Sequence, residues 1–131
     1  MDEQVIKRIP PNSAEAERSV IAAMLMDRDA VISASEILTG DDFYNRQYGV
    51  VFECMVELVN QGKPVDMVTV QECLKEKDVS PETASLEFVK ELMLGFITSG
   101  NVKQYAQIVY EKALLRKVIK INDTISGLCY Q

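Results

Sequence analysis

At 131 residues the chain is the size of one domain, large enough to bury a core without metal or disulfide staples. Its 20 acidic residues outnumber 14 basic ones, and a net charge of −6 argues against the domain as a whole gripping a phosphate backbone. There is no histidine, which excludes His-dependent catalytic triads and Cys/His zinc sites.

Residues 1–11 read as a flexible N-terminal arm ending at the stiff pair Pro10-Pro11. The arm has neither the positive nor the apolar region of a signal peptide. Asn12 is predicted to cap the first helix, with Glu15 completing a capping box. Ala16, Val20, Ala23 and Met24 form that helix's apolar face, widened by Ile21 and Leu25, and it ends near Met26-Asp27. A second helix, Asp29 to Leu38, turns Val31, Ile32, Ala34, Ile37 and Leu38 inward and breaks at Thr39-Gly40. The acidic pair Asp41-Asp42 precedes Phe43 and Tyr44, read as core and core edge.

The next helix has the cleanest stripe, Tyr48, Val51, Phe52, Met55, Leu58 and Val59, and is expected at the centre of the core. Gly62-Lys63-Pro64 stops it. Asp66 caps a shorter helix to Lys77 with Met67, Val70 and Leu74 inward. Ser80-Pro81 is predicted to open another, with Leu86, Phe88, Val89, Leu92 and Met93 apolar and Gly95 at its end. Thr98-Ser99-Gly100 leads into the last helix. Six or seven helices emerge, with no period-two segment long enough for a strand and no apolar run approaching a membrane span.

The final stretch, Asn101 to Gln131, carries two stripes. Val102, Ala106, Val109 and Ala113 follow one helix face, whose continuation lands on the charged Arg116, Lys117 and Lys120. A second stripe, Leu114, Val118, Ile121, Ile125 and Leu128, begins about a third of a turn round, with the spacing of a seam between helices. The first half is therefore expected to dock on the body and the second half to project and need a partner. The basic residues here read either as a solvated face or as a partner surface complementary to the acidic body.

The three cysteines, Cys54, Cys73 and Cys129, lack CxxC spacing and read as buried or half-buried reduced thiols of a cytosolic protein. Residues 69–92 resemble a helix-turn-helix, but its second helix would offer Glu82, Glu87 and Glu91 to DNA with Lys90 alone in support. Gly62-Lys63 lacks the glycine-rich run and the Ser/Thr of a phosphate loop. The carboxylates alternate with lysines on helix exteriors and form no acid/base pair, so no enzyme active site is expected.

Read together, the segments resemble the N-terminal domain of bacterial replicative DNA helicases of the DnaB type. The resemblance rests on Ile9-Pro10-Pro11 with Ala14-Glu15-Ala16-Glu17-Arg18-Ser19-Val20, then Glu36-Ile37-Leu38 ahead of Asp42-Phe43-Tyr44. It continues through Gly62-Lys63-Pro64-Val65-Asp66-Met67-Val68-Thr69 to Asn101, Tyr105-Ala106-Gln107-Ile108-Val109 and Leu114-Leu115-Arg116. Two places depart from the family: Gln47-Tyr48 stands where a histidine is usual, and Ala84-Ser85 where a Gly-Gly pair is common.

The resemblance implies an all-α fold: a helical body over 12–100 and a long projecting C-terminal helix over 101–131, the first arm of a helical hairpin. It implies a non-catalytic collar domain of a hexameric helicase that pairs through its hairpins and docks primase at the replication fork. A separate motor domain, absent here, would bind ATP and Mg and translocate on DNA. The chain stops at Gln131, before the second hairpin helix, and is expected to be a fragment.

For self-association the reading selects Leu114, Val118, Ile121, Ile125 and Leu128; for primase it selects Glu15, Phe88 and Ile119. Other helicase subunits and a helicase loader are the further partners implied. No cofactor, direct DNA contact or membrane is expected for this chain, and a bacterial cytoplasmic location is. The competing reading is a stand-alone helical adaptor that binds another protein by helix pairing.

Overall fold

The computed structural model describes residues 8–94 and 101–131, so residues 1–7 of the expected arm, Gly95 and the Thr98-Ser99-Gly100 lead lie outside it. Among the described residues there are six α-helices, one 3-10 turn and no strand.

Helix α1 (Ala14–Met26) starts one residue later than predicted. Ser13, not Asn12, is the cap, its Oγ accepting the Ala16 N–H at 3.2 Å. The Asn12 amide is instead engaged with the Pro10 carbonyl at 2.9 Å. With the cap at Ser13, the third helical residue is Ala16, which cannot complete a box, so Glu15 plays no part in the cap.

Asp27 both ends α1 and caps α2 (Arg28–Ser35), accepting the Asp29 N–H at 2.9 Å. The second helix is shorter than expected because the Ile37 and Leu38 N–H groups both turn back to the Ala34 carbonyl. Ile32, predicted inward, is exposed.

A 3-10 turn, Gly40–Asp42, then delivers Phe43 into the core, where its ring meets Phe52 with centroids 5.2 Å apart. Helix α3 (Arg46–Asn60) is capped by Asn45, whose Oδ1 accepts the Gln47 N–H at 3.0 Å. It ends at Gly62, whose φ of +70° is the left-handed conformation that glycine adopts without penalty.

Helix α4 (Met67–Lys75) has the predicted Asp66 cap, closed as a box by Thr69. The helix predicted from Pro81 is instead a run of turns with the buried Thr83 hydroxyl bonded to Gln47 and Ser80. Helix α5 (Leu86–Met93) begins only at a second cap, where Ser85 Oγ accepts the Phe88 N–H. Helix α6 (Val102–Cys129) closes the chain.

The centre of the core is α1 rather than α3. Six consecutive residues, Val20–Leu25, are buried, because α1 is packed by α2, α3, α5 and α6 together. A helix surrounded on all sides loses the one-sided pattern from which a core face is read. α3 supplies the next layer through Val51, Phe52, Cys54, Met55 and Leu58.

Candidate assembly surface on the long helix

α6 runs for 28 residues, about 42 Å at 1.5 Å per residue. Val102, Ala106, Val109 and Ala113 are buried, and α1 is the neighbour they pack on most. Beyond Ala113 no residue of the helix is buried. The change of face at Ala113-Leu114 is thus the point where the helix leaves the body.

A polar joint marks that exit. Arg116 Nη1 donates to the Pro11 carbonyl and Nη2 to the Asp42 carbonyl, each at 2.7 Å. The same guanidinium lies 5.5 Å from the centroid of the Tyr44 ring. Lys117 Nζ sits 3.7 Å from Asp42 Oδ1, and the other oxygen of this buried carboxylate accepts the Thr39 N–H at 2.9 Å. Two of the basic residues beyond Ala113 are therefore used within the chain, while Lys120 is solvated. Tyr44, predicted as core edge, is exposed and serves as a platform for the arginine.

From Leu114 outward the apolar seam is bare. Leu114, Val118, Ile121, Ile125 and Leu128 are 46–59% exposed. Ile108, Leu115 and Ile119 make a further exposed line, on the side away from both the seam and the buried face at 100° per residue. Isolated exposed aliphatics are ordinary; a continuous strip of branched ones marks a surface that water disfavours.

The predicted partner residues are scattered. Glu15 is exposed on the first turn of α1, four residues after Pro11, and Ile119 is exposed three residues beyond Arg116. Phe88 is half-buried on α5 against the core, and lines a cavity of about 500 Å³ with Arg18, Tyr48, Glu91, Leu92 and Leu94.

Sequence reasoning passed over the joint itself and the buried Glu17, which lies on the same face of α1 as the buried Ile21 and Met24 and whose carboxylate accepts the Tyr44 and Asn45 N–H groups. An acidic residue at i with Ile and Met at i+4 and i+7 is the signal that was available. Cys54 is buried and Cys73 half-buried as predicted, but Cys129 is exposed, since it lies on the unpacked end of α6.

The DNA-reading and nucleotide-binding alternatives find no support in the geometry. Ten residues separate α4 from α5, where a helix-turn-helix has a turn of three or four. Gly62-Lys63 lies just past the C-terminal end of α3, the negative end of the helix dipole, and not at the helix N-terminus that a phosphate loop opens. Among the described residues no three His, Cys, Asp or Glu side chains cluster as metal ligands, and no helix is long and apolar enough to cross a membrane.

Body and arm together define an all-helical module whose last helix is unpartnered over its outer half. Residues 9–111 match the family model for the DnaB-like helicase N terminal domain, and the chain belongs to that family. It is 38% identical over 126 residues to the replicative DNA helicase DnaB of Geobacillus stearothermophilus, covering 96% of this chain and 28% of that protein. It thus spans little more than a quarter of the length of that curated relative.

Among solved structures, the N-terminal domain of DnaB helicase from Mycobacterium tuberculosis superposes with a TM-score of 0.88 at 31% identity, over 93% of this chain and 87% of that one. The corresponding Helicobacter pylori domain, described with its interactions with primase, shares the fold with a TM-score of 0.76 at 19% identity, over 89% and 91% of the two chains.

Proposed function

We propose that this chain is the collar domain of a hexameric replicative helicase. It carries no catalysis of its own; it assembles with other helicase subunits through α6 and docks primase at the replication fork. ATP and Mg belong to a motor domain elsewhere in the longer protein, and the location is the bacterial cytoplasm. The body extends to the end of residue 100, residues 1–11 are an arm, and residues 101–131 form the first half of a hairpin.

The observation that carries this reading is the seam Leu114, Val118, Ile121, Ile125 and Leu128, bare on a helix of a chain that belongs to a helicase family. Five aliphatics in heptad register match what a facing helix covers. Primase docking is supported by the solvent access of Glu15 and Ile119 and by the part-open Phe88 cavity. A helicase loader is a further candidate for the same exposed surface.

The test is sedimentation across concentration, with Val118→Asp combined with Ile121→Asp. Self-association should weaken at least tenfold while far-UV circular dichroism stays the same. Whole-domain melting would show instead that the seam is internal core. Titration with the C-terminal helicase-binding region of primase should give a complex by high micromolar concentration; its absence would sink the docking claim for this chain. A shift of DNA by this chain at low salt would count against the reading.

A further inference from the structure

We propose that Arg116 is a buckle that holds the N-terminal segment and the projecting half of α6 as one unit, so that the segment ending at Pro11 sets the angle of the arm. The guanidinium joins two carbonyls from distant parts of the chain, Pro11 and Asp42, while resting over Tyr44. Asp42 is the last residue of the 3-10 turn and Pro11 lies in the irregular segment before the Ser13 cap, so neither carbonyl is given a partner within a helix. A planar fork with five donors can satisfy two such acceptors at once; a lysine ammonium presents a point charge instead.

Position makes this bond pair a lever. The last buried residue of α6 is Ala113, and two of the four residues on the buried face, Ala106 and Ala113, are alanines, which bring the helices close but interlock little. Arg116 lies three residues further out, on the body's side of the helix. From Ala113 to Cys129 is about 24 Å of helix, so a tilt of roughly 10° at the exit displaces the tip by about 4 Å.

With the buckle closed, the tip and the segment move together with the 3-10 turn. A partner that grips the described residues 8–11 then acts on the direction of the arm. The consequence for assembly rests on the proposed role of α6; the angle itself does not.

The experiment uses pulsed dipolar distances on the full chain in a Cys73→Ser background. One spin label is on the exposed Cys129 and the second on either Ile9→Cys in the segment or Glu36→Cys on the body. Cys54 is buried and stays unlabelled in the folded protein. Dilution with unlabelled protein keeps the distances intramolecular, so the result stands whether or not the seam pairs subunits.

With Arg116 present, both distributions should be narrow. Arg116→Ala should widen both at least twofold with helical content unchanged, and Arg116→Lys should widen both by less. If either distribution stays as narrow as before in Arg116→Ala, the buckle is refuted. If Arg116→Ala loses helical content, Arg116→Lys, which keeps the charge and the aliphatic stem, decides the matter by the same two widths.

Discussion

Glu17 on α1 holds the start of α3 through Asn45: its Oε1 accepts the Asn45 N–H at 3.1 Å, while Oε2 accepts the Tyr44 N–H at 2.8 Å. Glu17 is 2% exposed, whereas Tyr44 and Asn45 at the other end of the two bonds are exposed residues. One side chain thereby fixes the loop that carries Phe43 into the core and Tyr44 under Arg116. The joint at the base of the arm depends on a residue of α1 that never touches α6 in these bonds.

Replacing Glu17 by alanine removes the acceptor of two backbone donors at once. The expected loss is on the order of 3 kcal/mol in urea unfolding, since each unsatisfied donor costs roughly 1–3 kcal/mol. Glu17→Gln keeps the shape but turns one acceptor into a donor facing an N–H, so it should lose about half as much. A glutamine variant as stable as the parent would show that the second acceptor is dispensable.

Helix number and faces were legible in the sequence because capping residues and 3.6-residue stripes are local signals. Asp66, Gly62 and the Ala113-Leu114 change of face came through for that reason. Ser85 was missed because Ser80-Pro81 is also a good start signal, and the run after it is a set of turns held by local bonds together with the tertiary bond from Gln47 to Thr83. The role of α1 was hidden because burial on every side erases amphipathicity. Of the surface, the seam was readable as a pattern, whereas the Arg116 joint unites residues 74 and 105 positions apart, which no window of sequence contains.

Two glycines face each other between the 3-10 turn and α3, and they should respond differently to alanine. A Cβ on Gly49 would come 2.4 Å from the Gly40 carbonyl oxygen, a backbone atom that cannot move without shifting the turn. A Cβ on Gly40 would meet the Glu53 side chain from Cγ to Oε2, a side chain on an exposed residue that can swing as a whole. Gly49→Ala should therefore cost about 1–3 kcal/mol by overpacking, despite the better helix propensity of alanine.

Gly40→Ala should cost less than Gly49→Ala. Gly62→Ala meets nothing in space but carries the left-handed penalty of roughly 1–2 kcal/mol. Thermal melts of the three variants rank them. Equal effects at Gly40 and Gly49 would mean that the helix slides to relieve the contact.

The cysteines give a prediction in pH. Burial, with the neighbouring Cys73 adding to it, pushes the Cys54 thiol well above its ordinary value of 9.0. Lys77 is also raised, chiefly by its hydrogen bond to Glu57, but that pair is partly solvated and contributes little. For both groups the folded state keeps its proton longer than the unfolded chain does. Their contribution is complete below the unfolded value and is lost as pH rises.

For Cys54 that loss starts near pH 9, where the unfolded thiol ionises, and each further unit costs about 1.4 kcal/mol. Urea unfolding at pH 7 to 10.5 should show stability falling on the alkaline side. Cys54→Ala should lower stability at pH 7 through the cavity it leaves, yet flatten the alkaline slope relative to the parent. Parallel slopes in parent and variant would assign the alkaline loss to other groups.

Thiol modification at neutral pH checks the same physics independently. The exposed Cys129 should react first and the half-buried Cys73 more slowly. Cys54 should react only at the rate of global opening, because no local exposure frees it from between α3 and its neighbours. Rapid modification of Cys54 in the folded protein would mean that α4 opens from α3 on its own.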